Sequence, residues 1–392
     1  MLIRMPDYMT FVSLSRRYVS VHGWQRNMTP VSVLVEEIPL SLVEACDRWV
    51  QRNQGVLEVY PSKLGDVSQR DVLLLAPLKA FMEKTVEDEE VAGLLSNIGG
   101  VLDRIPNRET VLTCGDKRLV VGRQPRVMGI INVTPDSFSD GGRHFRVEDA
   151  VARACQMVED GADIIDVGGE SSRPGSEPVG AHEEMERIVP VIRTLAKRID
   201  VPISVDTTKA EVARAALDAG AGMINDISGL HWDLEVGKVA AEYKVPVIVM
   251  HTRGKPKTMQ RDIHYRSLMS EIIRYLKEGV EIALASGVPS DQIVVDPGIG
   301  FGKTLENNLT IMNRLYELSV LGKPILLGAS RKTFIGEILE TDVDQRLEGT
   351  LATTAYGIIR GADIVRVHDV KENVRVVRML ERMMDLNEET VG

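Results

Sequence analysis

Val127-Met128-Gly129-Ile130-Ile131-Asn132-Val133 is a run of apolar and small residues broken by one amide near its end. Its apolar character is continuous, not alternating, as in a strand buried on both faces. Seven comparable runs follow, at 163–168, 202–206, 223–227, 246–251, 292–296, 324–330 and 363–368. Between them lie stretches with helical spacing. Val147, Val151, Ala154 and Val158 recur at intervals of four, three and four, and Gly161 stands where such a helix would stop. A second helical pattern covers 208–220. Eight strands with crossovers in about 265 residues predict an α/β protein, a closed (β/α)8 TIM barrel, because a doubly wound sheet would leave two edges.

Just upstream, apolar runs at 111–113 and 118–121 flank Cys114-Gly115-Asp116-Lys117. This predicts a hairpin placed to plug the bottom of the barrel. Residues 1–108 read as a separate small α/β domain, with apolar runs at 31–35, 56–60 and 71–76 and a helix over 40–50, and residues 109–392 read as the barrel. The acidic run Glu87-Asp88-Glu89-Glu90 reads as the first turn of a helix, where carboxylates suit the dipole. With 12 basic and 14 acidic residues, the segment 1–108 carries no charge signal for a partner.

Over all 392 residues, 47 Lys and Arg stand against 57 Asp and Glu. The resulting negative field argues against nucleic acid as a partner. No stretch approaches the roughly 20 uninterrupted apolar residues of a bilayer span, which argues against a membrane protein. Cys46, Cys114 and Cys155 are few, odd in number and far apart, so neither a disulfide framework nor a paired-cysteine zinc site is expected. No apolar signal core accompanies Arg4, Arg16 and Arg17, and the expected location is cytoplasmic.

In a barrel of this kind the C-terminal strand ends face the active site. Here they carry Asn132, Asp166, Asp206, Asn225 with Asp226, His251, Asp296, Ser330, and Arg366 with His368. Buried polar groups are expensive, and a merely stable barrel fills with Val, Ile and Leu, so the ring of polar ends points to a ligand. Asp206, Asn225 and Asp296 suit a flat heterocycle rich in N–H donors. Lys332, Arg366 and His368 gather after the last two strands, where barrels commonly hold phosphate. The loops 134–142 and 168–175 have the Gly, Ser and Asp content of mobile lids. Gly298-Ile299-Gly300-Phe301-Gly302-Lys303 lacks the residue order of a P-loop, which argues against nucleotide hydrolysis. The remaining histidines, His22, His144, His182, His231 and His264, read as surface or supporting groups.

Seven ordered motifs resemble the dihydropteroate synthase family of the folate pathway. The first two are Asn132-Val133-Thr134-Pro135-Asp136-Ser137-Phe138-Ser139-Asp140-Gly141-Gly142 and Asp166-Val167-Gly168-Gly169-Glu170-Ser171. The others are Ser204-Val205-Asp206-Thr207, Ile224-Asn225-Asp226-Ile227, the glycine-rich segment 296–303, Gly328-Ala329-Ser330-Arg331-Lys332 and Arg366-Val367-His368-Asp369-Val370. The resemblance implies condensation of 6-hydroxymethyl-7,8-dihydropterin diphosphate with 4-aminobenzoate, with Mg2+ assisting, in a homodimer. It implies that Asp206, Asn225, Asp296 and Lys332 hold the pterin, and that Asn132, Arg366 and His368 hold the diphosphate. Asn132 would also bind the metal, with Asp140 contributing. Thr333 would receive the aminobenzoate carboxylate, and Phe138, Ser172, Arg173 and Pro174 would close over that substrate. Asp166, Met250, Gly300, Phe301 and Ser330 complete the expected substrate-binding set.

The sequence departs from the family pattern in two places. Ser172 stands where members commonly carry Thr, and residues 1–108 have no counterpart in the minimal enzyme. Two rivals remain: a pterin-binding methyltransferase using methyltetrahydrofolate, and a non-catalytic pterin-binding protein. The cationic residues at 332, 366 and 368 argue against the first, and the complete motif set argues against the second.

Overall fold

The computed structural model describes residues 2–4, 30–53, 56–61, 69–77, 91–95, 98, 109–122, 124–134, 143–173 and 175–388. Phe138, Asp140, Pro174 and the acidic run 87–90 lie outside the described residues. The chain divides into two compact units. One comprises Met1–Asn107, Tyr265–Arg274 and Tyr316–Gly322, and the other Arg108–His264, Tyr275–Leu315 and Lys323–Gly392.

In the first unit, β1 (Leu2–Arg4), β2 (Pro30–Pro39), β4 (Gln69–Pro77) and β3 (Val56–Pro61) form an antiparallel sheet in the order β1-β2-β4-β3. Val33 and Val35 of β2 and Val72, Leu74 and Ala76 of β4 alternate onto one core. Leu42, Cys46, Trp49 and Val50 of the helix Leu40–Arg52 cover it, at the spacing of one helical face.

The second unit is the barrel. Its strands are β7 (Arg126–Asn132), β8 (Ile164–Gly168), β9 (Ile203–Asp206), β10 (Met223–Asp226), β11 (Val247–Met250), β12 (Ile293–Asp296), β13 (Leu326–Leu327) and β14 (Ile364–Val367). All pair in parallel with their sequence neighbours, β14 returns to β7, and a bridge between Val295 and Ile325 joins β12 to β13 and closes the sheet. The strand expected over 324–330 is only two residues long. The Ala329 carbonyl accepts the Lys332 N–H at 3.3 Å, so the chain has already turned out of the ladder. The helices expected around Val147 and over 208–220 are Arg143–Glu159 and Ala210–Asp218. Among the described residues no helix is long and apolar enough to cross a membrane.

Residues two apart on a strand face the same side, so the interior is built in levels. At the lowest, Met128, Ile164, Met223, Ile248, Val294, Leu326 and Ile364 meet Leu112, Cys114, Leu119 and Val121. The last four belong to the hairpin β5 (Thr110–Cys114) and β6 (Lys117–Val121), which plugs the bottom as the sequence predicts. A Cβ on Gly222 would lie 2.6 Å from the Cys114 carbonyl oxygen, so a residue without a side chain is needed there for the plug to seat. Gln292 secures it on one side, accepting the Thr113 N–H at 2.8 Å and donating to the Val111 carbonyl at 3.0 Å. Lys117 secures it on another, donating to the carbonyls of Ile199 and Val201 at 2.8 and 3.0 Å. Two residues above five of the floor positions stand Asp166, Asn225, Met250, Asp296 and Arg366.

Candidate active site

Four rim side chains form one hydrogen-bonded chain. Arg366 donates from Nε to Asp166 Oδ2 and from Nη2 to Asp206 Oδ2, each at 2.6 Å. Asn225 Nδ2 donates to the same Asp166 oxygen at 3.1 Å. Asp166 is fully buried, yet its Oδ1 and the hydroxyl of Ser204, its register partner on β9, have no hydrogen-bond partner among the described residues. Two acids share one guanidinium. Burial pushes Asp206 above the usual carboxylate range, with Arg366 opposing and Asp166 adding to the push.

Beside this chain, Asp296 Oδ1 accepts the Gly298 N–H at 2.7 Å. Burial raises its pKa to about 6, against the Gly298 hydrogen bond and the Lys332 charge. Burial and Arg366 lower Lys332 to about 8, while Asp296 and Asp206 favour its charge. Lys332 Nζ lies 4.2 Å from the centroid of the Phe301 ring, and Phe301 packs with Met250 and Met259. Asp226, the other acid at the end of β10, accepts the N–H groups of Ser228 and Leu230 at 2.7 and 3.1 Å and so shapes its own loop.

The expected cluster of three cations is smaller than the residue list suggests. Arg366 is committed to two acids. His368 is neutral near pH 7, because burial and the cations Arg366 and Arg331 push its pKa down to about 3. Ser330 Oγ lies 3.0 Å from His368 Nδ1 and accepts the His368 backbone N–H at 3.2 Å. Arg331 turns to Asp369, its Nε donating at 2.9 Å. Asn132 ends β7 half-buried, Ser172 is half-buried, Arg173 is exposed, and Thr333 is exposed at the first position of the helix Thr333–Leu339.

Among the described residues no three His, Cys, Asp or Glu side chains gather into a metal cluster. Mg2+ keeps waters and phosphate oxygens and needs only one or two protein ligands. Asn132 offers one neutral oxygen for that purpose.

Two clusters escaped the sequence reading. Lys209 bridges Glu170 and the buried Glu184, tying the loop after β8 to the helix Ala181–Leu195. The signal for it was Glu184 itself, a carboxylate on the inward stripe that continues through Ile188, Val191, Ile192 and Leu195. The second cluster pairs Lys303 with His251 and is taken up below. Of the histidines expected to be surface or supporting groups, His182 and His264 are exposed, and His231 packs against Tyr275 with ring centroids 4.0 Å apart. His22 and the His144 side chain lie outside the described residues.

A closed parallel barrel whose upper rim presents acids, an amide and a lysine defines a ring-binding barrel protein, and a family model described as "Pterin binding enzyme" matches residues 128–368. The dihydropteroate synthase of Clostridium beijerinckii is 49% identical over 268 residues, covering 68% of this chain and 97% of that protein. The enzyme of the same name from Escherichia coli K12 is 46% identical over 266 residues, covering 67% and 93%. This chain belongs to the dihydropteroate synthase family of pterin binding enzymes. Among solved structures, Xanthomonas albilineans dihydropteroate synthase with 4-aminobenzoic acid has a TM-score of 0.66 at 42% identity, covering 70% of this chain and 98% of that one. The same enzyme in complex with 7,8-dihydropteroate has a TM-score of 0.63 at 40% identity, with the same coverage.

Proposed function

We infer that the chain condenses 6-hydroxymethyl-7,8-dihydropterin diphosphate with 4-aminobenzoate, giving 7,8-dihydropteroate and pyrophosphate. One observation carries this reading: a single rim joins the Asp206–Arg366–Asp166–Asn225 chain to the Asp296 and Lys332 pair, in a family whose members carry that activity in their name. The carboxylates and Asn225 accept from the N–H edge of the pterin, and Lys332 donates to its carbonyl side. Asn132, His368 with Ser330, and the outer face of Arg366 receive the diphosphate.

As the C–O bond to the diphosphate breaks, the exocyclic methylene becomes electron-poor and the pterin ring spreads its charge, with Asp206 and Asp296 close by. The neutral arylamine forms the new C–N bond and loses a proton to solvent, so no strong protein base is needed. Mg2+, held by Asn132 and by Asp140 of the first loop, would neutralise the departing pyrophosphate. Thr333 and the loop bearing Ser172 and Arg173 hold the aminobenzoate, with Phe138 and Pro174 closing over it.

In this reading residues 109–392 carry the reaction, in the cytoplasm, and two copies associate. Support for association comes from the late helices, where Ile338, Leu339, Tyr356, Ile359 and Met379 are exposed apolar side chains. Sedimentation of wild type against Ile359→Asp tests it, with a dimer expected to become a monomer. For the activity itself, both substrates with Mg2+ are expected to release pyrophosphate in step with dihydropteroate. Pterin binding without release would overturn catalysis.

A further inference from the structure

The glycine-rich segment after β12 ends in a lysine that is 3% exposed. Lys303 Nζ lies 2.9 Å from His251 Nδ1 and donates to the Phe301 carbonyl at 3.0 Å. Neither partner is a carboxylate. Burial drives Lys303 well below the usual ammonium range, with Asp296 pulling the other way and Lys332 adding to the push. Burial also drives His251 well below its ordinary value, and Lys303 adds to that. With the imidazole proton on Nε2, the bare Nδ1 accepts a hydrogen bond from the Lys303 amine.

A buried amine costs more than an apolar side chain of the same volume, so filling space does not account for it. What it does is fix a loop. The carbonyl that Lys303 holds belongs to Phe301, whose ring lies under Lys332 Nζ. Gly300, at φ +83°, runs so close that a Cβ there would lie 3.2 Å from Lys332 Cδ. Gly300 is itself held at both ends, its N–H donating to Asn308 Oδ1 and its carbonyl accepting from Gln260 Nε2, each at 2.8 Å. A continuous run of contacts therefore leads from His251, just past β11, through Lys303 and Phe301 to Lys332.

We propose that Lys303 is a positioning residue: through His251 and the Phe301 carbonyl it holds the Gly300 and Phe301 shelf against Lys332, and so sets pterin affinity without touching the pterin. This rests on the reading of Lys332 as a pterin-holding group.

Lys303→Met keeps the aliphatic stem and removes the amine. Its KM for pterin diphosphate is expected to rise about tenfold or more while that for aminobenzoate stays within about twofold. Lys303→Gln, which keeps a donor, is expected to recover part of the loss. In 15N-histidine spectra of the wild type near pH 7, His251 is expected to show a bare Nδ1 and a protonated Nε2. The Nδ1 signal is expected to shift in Lys303→Met, and in the wild type when 6-hydroxymethylpterin is added. An unchanged pterin KM in Lys303→Met, or an equal rise in both KM values, would overturn the proposal. Lys332→Ala assayed alongside separates the two layers: a normal pterin KM there defeats the site reading, whereas an impaired Lys332→Ala beside a normal Lys303→Met defeats only the positioning role. If Lys303→Met does not fold, the wild-type titration decides, and a His251 Nδ1 unmoved at saturating pterin overturns the proposal.

Discussion

The floor and the rim of the barrel are built by the same strands two residues apart, and they have opposite chemistry. Ile164 lies below Asp166, Met223 below Asn225, Val294 below Asp296 and Ile364 below Arg366. One strand repeat of about 6.7 Å separates a dry apolar level from a charged one. At the floor each side chain contributes by area, roughly 1.5 to 3 kcal/mol for a fully buried Leu, Ile or Met. At the rim, burial raises Asp206 and Asp296 and lowers Lys332, so the groups are held away from their preferred charge states. Stability is concentrated below, and chemistry above is held at a cost in stability.

The sharpest way to break this contrast is Arg366→Met. It leaves Asp166 and Asp206 buried without their cation, which costs about 3 to 5 kcal/mol of stability. Turnover is expected to fall about hundredfold or more in a coupled pyrophosphate assay, and near-normal turnover would remove the rim's claim to catalysis. At the floor, Leu112→Ala is expected to lose about 2 to 5 kcal/mol by chemical denaturation while kcat stays within about twofold. A large kcat loss there would mean that the two levels are not separable. Lys332→Ala and Asp206→Asn are each expected to lower turnover more than about tenfold at smaller cost to stability.

The pH profile sharpens the contrast further. Asp296, raised to about 6, is an ionised acceptor above that pH and loses this role as pH falls, whereas Lys332, lowered to about 8, is a cation below that pH and neutral above it. The kcat/KM for pterin diphosphate should therefore peak between these values. Asp206, which burial raises to about 7, titrates on the same acid limb, so Asp296→Asn should leave that limb set by Asp206 alone, and Lys332→Arg should move the alkaline limb upward. The smallest effect is expected at Ser172→Thr, where one added methyl group, about 0.8 kcal/mol when buried, should lower the aminobenzoate KM up to about fourfold.

Floor and rim were not equally legible in the sequence. The seven longer strands and the plugging hairpin follow from continuous apolar runs and a turn at Gly115-Asp116, which are local signals. The two-residue β13 is shorter than its apolar run, because Pro324 to Leu327 continues smoothly into the small residues of the loop and a turn at Ala329 leaves no apolar gap. At the rim the residue identities were legible from their places at strand ends, but not their partners. Arg366 is 200 residues from Asp166 and 160 from Asp206. No sequence spacing shows that one guanidinium serves both, nor that burial beside Arg366 and Arg331 leaves His368 neutral. Lys303 read as part of a glycine-rich loop because burial of a lysine depends on what folds over it.

The hairpin carries a further consequence for where such a protein can be cut. The family match begins at residue 128, yet four of the side chains that seal the floor come from residues 112–121. A shortened gene product started at the first barrel strand would open the base to water and uncover Met128, Ile164, Met223 and Ile364 together. Any excised barrel must begin ahead of Thr110, and the hairpin belongs to the barrel.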